Sequence, residues 1–159
     1  MSLELISAGV ASVAAITDLR WRRIPNWLTV AAFGGGLALH VWQAGAQGLL
    51  VALLGAALGL LLLLPFYALR TIGAGDVKLL AALGSIVGPQ ALVSVILYTA
   101  VVGGAISIVL LARRQHLGRC LRELVVRPTH LTRSGAKAPY GVAIASGVYL
   151  SLVLPSVLG

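Results

Sequence analysis

Asp18 and Asp76 are the residues of this chain best suited to do chemistry. The 159 residues include only four acidic ones, and both of these aspartates fall where a hydrophobic stretch meets a loop. A carboxylate at such a boundary is expensive to desolvate and is a functional candidate by default. Two of them brought together can share one proton, activate a water molecule and polarise a carbonyl, which is the chemistry of acid hydrolysis. Whether they can meet depends on the elements that carry them.

Composition identifies the solvent. The chain is 59% hydrophobic and 10% charged, with a mean hydropathy of +1.00, whereas soluble domains carry about 25% charged residues. A bilayer accommodates such a chain, provided that every backbone polar group is satisfied internally, which favours helices. The expected fold is all-α, a polytopic integral membrane protein with about six transmembrane helices and a single domain over 1–159. The hydrophobic blocks run from about Leu3 to Thr17, Trp27 to Val41, Leu49 to Leu69, Val77 to Val87, Ala91 to Ala112 and Tyr140 to Leu158. Blocks four and five are separated at Gly88-Pro89, where proline disfavours a continuous helix. One helix from Leu79 to Ala112 would be about 51 Å long, too long for a single crossing. Block four is short for a full span.

Charge distribution orients these blocks. With six spans in strict alternation, the loops after spans one, three and five share a side, and all 12 basic residues fall there. They are Arg20, Arg22 and Arg23, then Arg70 and Lys78, then Arg113, Arg114, Arg119, Arg122, Arg127, Arg133 and Lys137. The connections Trp42 to Gly48 and Gly88 to Gln90 have none. The positive-inside rule then makes the basic side cytoplasmic, with both termini external and both aspartates at the cytoplasmic boundary of the inner membrane. The same rule accounts for the net charge of +8 without nucleic acid as a partner. Lipid headgroups are the expected neighbours of the loop Arg113 to Ala138. The N-terminal stretch lacks a basic n-region and contains Glu4, which fits a retained helix rather than a signal peptide.

No cofactor or metal is expected. Cys120 is the sole cysteine, and His40, His116 and His130 match no ligand spacing; interfacial or solvated roles suit these histidines. Gly55 and Gly59, the run Gly34-Gly35-Gly36, and Gly103-Gly104 permit close helix approach in lipid. The glycine run in block two could also act as a hinge.

Two segments frame the aspartates. In Thr17-Asp18-Leu19-Arg20-Trp21-Arg22-Arg23-Ile24-Pro25-Asn26-Trp27, Asp18 ends a helix, where a carboxylate opposes the macrodipole unless it pairs with a neighbour such as Arg20, Arg22 or Arg23. Pro25 or Asn26 suits the start of the next helix. In Gly73-Ala74-Gly75-Asp76-Val77-Lys78-Leu79-Leu80, the glycines Gly73 and Gly75 free the backbone and permit close approach. Asp76 stands at a helix start, either as an ordinary N-cap or as a functional group. Lys78 could snorkel to the surface or bias the ionisation of Asp76.

These segments, together with Pro139-Tyr140-Gly141-Val142-Ala143-Ile144-Ala145 opening the last block, resemble the type IV prepilin leader peptidase family. Its members are polytopic aspartyl proteases that share a Gly-x-Gly-Asp motif with presenilins and archaeal preflagellin peptidases. The resemblance implies that Asp18 and Asp76 are the catalytic pair, with Gly73, Gly75, Lys78, Pro25 and Asn26 as supporting motif residues. It implies an intramembrane aspartic endopeptidase whose partners are the helices of prepilins or pseudopilins. Seventeen residues precede Asp18, so the resemblance is to the short peptidase-only class of tight-adherence (Flp) pili, without an N-terminal methyltransferase or zinc domain. A preflagellin peptidase is the alternative within the fold; a proton-coupled carrier or a non-catalytic assembly protein is the alternative outside it. The oligomeric state is open.

Overall fold

The structure, a computed structural model, describes residues 2–21, 23–69, 72–113 and 140–154. Four helices account for nearly all of them: α1 (Ser2–Trp21), α2 (Asn26–Ala68), α3 (Ala74–Arg113) and α4 (Tyr140–Val153). Arg22, Arg70, Thr71, the segment 114–139 with Cys120, His116 and His130, and residues 155–159 lie outside the described residues.

The all-α expectation holds, but the count of about six transmembrane helices does not. Among the described residues two helices, α2 and α3, are long and apolar enough to cross a membrane. Blocks two and three are joined into the single 43-residue α2, in which only Ala44 (φ −139°, ψ 17°) and Gly45 (φ 56°, ψ −132°) leave helical geometry. The polar-looking connection Trp42 to Gly48 is otherwise helical, because its alanines, glutamines and tryptophan can sustain the hydrogen-bond ladder. The bend is sharp enough that Gly48 lies against the carbonyl of His40, two turns earlier. Blocks four and five are likewise joined in α3, where Gly88 alone is non-helical (φ 78°, ψ 172°). Proline at 89 loses an amide there, and glycine at 88 takes a conformation that a side chain would strain. The break falls where it was expected, yet it bends a helix instead of ending one. His40 Nε2 lies 3.0 Å from the Ile86 carbonyl oxygen beside this bend, which replaces the interfacial or solvated role expected of that histidine.

Surface chemistry agrees with a membrane setting. Only 22% of the most apolar stretch of α2 is buried within the chain, so its leucines face outward, Leu50, Leu54 and Leu61 among them. An apolar surface of that extent is unsuited to water. The corresponding stretch of α3 is 67% buried, and α3 touches each of the other three helices. Its Leu79, Leu83, Leu92 and Val95 form the centre of the core with Ala8, Ala11 and Ala14 of α1 and Ile144 and Val148 of α4.

Contact between α2 and α3 is made by small residues. A Cβ on Gly36 would stand 2.5 Å from Ser85 Oγ and 2.8 Å from the Ser85 carbonyl, and one on Gly59 would stand 2.6 Å from the Leu80 carbonyl. Gly55 and Gly84 face one another so closely that a Cβ on either would collide with the backbone of the other. The run Gly34-Gly35-Gly36 is uninterrupted helix, so Gly36 serves as a contact point and the hinge is not realised. Helices in lipid associate through such packing rather than through expulsion of water. Gly55→Ala is therefore expected to cost about 1–3 kcal/mol, read as a lowered unfolding midpoint in detergent, whereas Gly34→Ala, with nothing within 4 Å of its added methyl, does not lower the midpoint and raises it slightly through the better helix propensity of alanine.

Candidate active site

One end of the bundle gathers the C-terminal end of α1 and the N-terminal ends of α2, α3 and α4. Pro25 adopts extended geometry (φ −68°, ψ 135°) directly before α2, and its carbonyl accepts the Leu28 amide at 3.1 Å. Proline needs no amide partner there, which makes it a favourable helix entry. Gly73 performs the same service for α3: its carbonyl accepts the amides of Asp76 at 3.2 Å and Val77 at 3.4 Å. Asp76 is therefore in the first turn of α3 and is not its N-cap. A Cβ on Gly73 would lie 3.3 Å from Asp76 Oδ2, so glycine leaves the carboxylate room.

The supporting residues tie these helix ends together. Lys78 Nζ donates to Asn26 Oδ1 at 3.2 Å, joining the first turns of α3 and α2. Lys78 itself is exposed, as a side chain reaching the surface would be. Gly75 packs against Ile24, where a Cβ would come within 3.3 Å of the isoleucine Cβ. All five supporting residues thus lie at one end of the bundle.

Asp18 is half-buried near the end of α1, and helix continues one turn beyond it to Trp21. Its Oδ2 accepts a hydrogen bond from the Gly141 amide at 2.9 Å. Gly141 is the second residue of α4, where amides lack partners inside their own helix and the helix dipole presents its positive end. The unfavourable position of a carboxylate at the end of α1 is thereby offset by the start of another helix. Among the described residues no ion pair joins Asp18 to Arg20 or Arg23; the Arg20 guanidinium instead lies over the Trp21 ring, 5.9 Å from its centroid. Gly141 is sterically obligatory as well, since a Cβ there would stand 2.8 Å from Asp18 Cβ and 2.9 Å from Oδ2.

Asp76 is also half-buried, and it lines a cavity of about 420 Å³. Leu62, Leu63 and Phe66 of α2 form one wall. Ile72, Asp76 and Leu80 at the start of α3 form a second, and the stretch from Ile96 to Gly104 beyond the Gly88 bend forms a third. Ile144 of α4 completes it. The two aspartates are thus linked through α4: Gly141 holds Asp18, and Ile144, one turn later, shares a cavity with Asp76. No hydrogen bond joins Asp18 directly to Asp76 among the described residues.

The sequence profile of the Type IV leader peptidase family matches residues 5–108. The chain belongs to this family. The matched region contains α2, both aspartates and most of α1 and α3. Relatives include the prepilin leader peptidase/N-methyltransferase of Burkholderia pseudomallei (strain 1026b), 38% identical over 111 residues, covering 65% of this chain and 35% of that protein. The protein of the same description from Aeromonas hydrophila is 34% identical over 119 residues, covering 70% and 41%. That from Bacillus subtilis (strain 168) is 33% identical over 134 residues, covering 74% and 51%. The chain therefore spans between about a third and a half of the length of these curated relatives. No solved structure matches. The chain is thus a membrane-associated helical member of a peptidase family.

In the sequence Gly141 is only one residue of a motif and Gly103-Gly104 has the look of packing glycines, and nothing there points to the cavity. Ile96, Thr99, Ala100, Gly103 and Gly104 recur at the spacing of one helix face, a signal that was present but indistinguishable from an ordinary packing stripe. Gly141→Ala is expected to displace the Asp18 carboxylate and lower peptidase turnover by about 10²-fold, while the unfolding midpoint in detergent falls far less than for Gly55→Ala. Turnover assays on membranes, paired with that midpoint, check this.

Proposed function

We propose that the chain is an intramembrane aspartic endopeptidase that removes the leader peptide of prepilins or pseudopilins, with Asp18 and Asp76 as its acid–base pair. The observation that carries this proposal is the arrangement at one end of the bundle. Asp18 is bonded to the first turn of α4, and the cavity bordered by the next turn of α4 has Asp76 as its only ionisable group among the described residues. Family membership and relatives described as prepilin leader peptidases support the choice of substrate. Only peptide cleavage is assigned, not the methyl transfer in the relatives' descriptions.

Two carboxyl groups drawn together around a substrate share one proton between them. The ionised member accepts a proton from water as the water oxygen attacks the scissile carbonyl carbon. The protonated member donates a hydrogen bond to the carbonyl oxygen, and a proton passes to the leaving amine as the carbon–nitrogen bond breaks. The products are a free carboxylate on the leader and a new amino terminus on the remaining helix. Substrate binding closes the distance between the two aspartates, in keeping with catalytic geometries that tighten only in the complex.

The end bearing the aspartates faces the cytoplasm in this proposal. Arg20, Arg23 and Lys78 all lie there, in accord with the positive-inside rule. Trp42, 90% exposed near the bend of α2, lies at the other end, about 24 Å along the helix from Asn26.

Co-expression with a candidate prepilin tests the chemistry. Wild type is expected to remove the leader, and Asp18→Asn and Asp76→Asn each to lower the rate by at least about 10²-fold with unchanged membrane levels. Retained cleavage in either variant removes the pair. Orientation is tested separately with Trp42→Cys in a Cys120→Ser background: a membrane-impermeant maleimide is expected to label it in intact cells. Labelling only after lysis reverses the orientation.

A further inference from the structure

The cavity beside Asp76 is larger than acid–base chemistry requires. Its volume of about 420 Å³ falls in the range of sites that enclose small ligands. The wall beyond the α3 bend ends in Gly103 and Gly104, which continue the face begun by Ile96, Thr99 and Ala100. The two glycines differ in their surroundings. A Cβ on Gly103 would stand 3.3 Å from the Cβ of Ala143 in α4, whereas a Cβ on Gly104 would meet nothing within 4 Å. Glycine inside a helix costs about 0.5–1 kcal/mol relative to alanine, and among the described residues no helix packs closely enough at position 104 to require it. The space it leaves opens on the cavity.

We propose that this cavity is a side-chain subsite that receives the apolar residue directly following the scissile bond, and that Gly104 sets the size of side chain it accepts. This rests on Asp76 acting at the scissile carbonyl, as proposed above. An extended peptide advances about 3.3 Å per residue, so a substrate whose scissile carbonyl reaches Asp76 brings the adjoining side chain to the cavity wall. Apart from Asp76 and Thr99 the lining is apolar. It accommodates aliphatic and aromatic side chains and disfavours charged ones, which would be desolvated without a partner. Thr99 offers little competing polarity, because its Oγ1 is buried and packs against Gly147 of α4.

The test uses the full chain in membranes with a cleavable prepilin carrying Phe, Leu, Ala or Gly directly after the scissile bond, against wild type, Gly104→Ala, Gly104→Leu and Gly104→Trp. The open surroundings of position 104 predict retained folding, checked by the unfolding midpoint. Gly104→Trp is expected to lower kcat/KM for the Phe substrate by about tenfold or more relative to the Ala substrate, with Leu intermediate. An equal loss for all substrates, or no loss, overturns the proposal. A second readout does not depend on turnover: a benzophenone side chain at the same substrate position is expected to crosslink to residues 99–104 in wild type and to lose that crosslink in Gly104→Trp. Crosslinks confined to other surfaces overturn the subsite, as does labelling of this stripe by a photoreactive phospholipid in place of the peptide. If wild type cleaves no prepilin, the catalytic pair fails while the crosslink still decides the occupant.

Discussion

Backbone contact between α2 and α3 is the constraint on which the rest of this molecule depends. Apolar side chains gain nothing from leaving lipid for one another, so two helices hold together there only if many atoms touch. Gly36, Gly55 and Gly59 on one helix, and Gly84 on the other, remove the side chains that would keep the backbones apart. The contact fixes the height and rotation of α3 relative to α2. It thereby presents Asp76 between Leu62, Leu63 and Phe66 on one side and the wall beyond Gly88 on the other. A shift of α3 by one turn would carry the carboxylate about 5.4 Å away from that cavity.

The two aspartates are held by unlike means. Asp76 owes its place to its own segment, where the Gly73 carbonyl closes the first turn and the absence of a side chain at 73 leaves space for the carboxylate. Asp18 owes its place to a residue 123 positions away, an amide whose availability comes from being at a helix start. The conformation of the Asp76 segment is local, although its placement against α2 still depends on the glycine contact. The hold on Asp18 exists only while α1 and α4 are docked, through contacts such as Ser12 Oγ to Tyr149 Oη at 2.6 Å.

Legibility in the sequence divides along the same line. The segment around Asp76 could be read directly, because a glycine pair before an aspartate and an apolar run is a local signal. So could the helix entry at Pro25 and the bend at Gly88-Pro89, where backbone chemistry leaves few choices. The number of spans could not be read, because hydropathy treats every polar or glycine-rich interval as an interruption. Trp42 to Gly48 departs from helical geometry at only two residues, and nothing in its composition distinguishes a bent helix from two helices and a loop. The partner of Asp18 was hidden for another reason: three arginines lie within five residues of it, and local spacing favours them over a distant backbone amide. The cavity was least legible, since its lining repeats the periodicity of an ordinary core.

The bond between Asp18 and Gly141 also has a meaning in time. Asp18 is synthesised 123 residues ahead of Gly141, and α4 is the last of the described helices to leave the ribosome. Until it does, the carboxylate has no donor and the cavity at Asp76 lacks the wall that Ile144 supplies. A half-made chain can insert α1, α2 and α3 and still carry an unfinished site. The surroundings of both aspartates are completed in a single late step, when α4 docks.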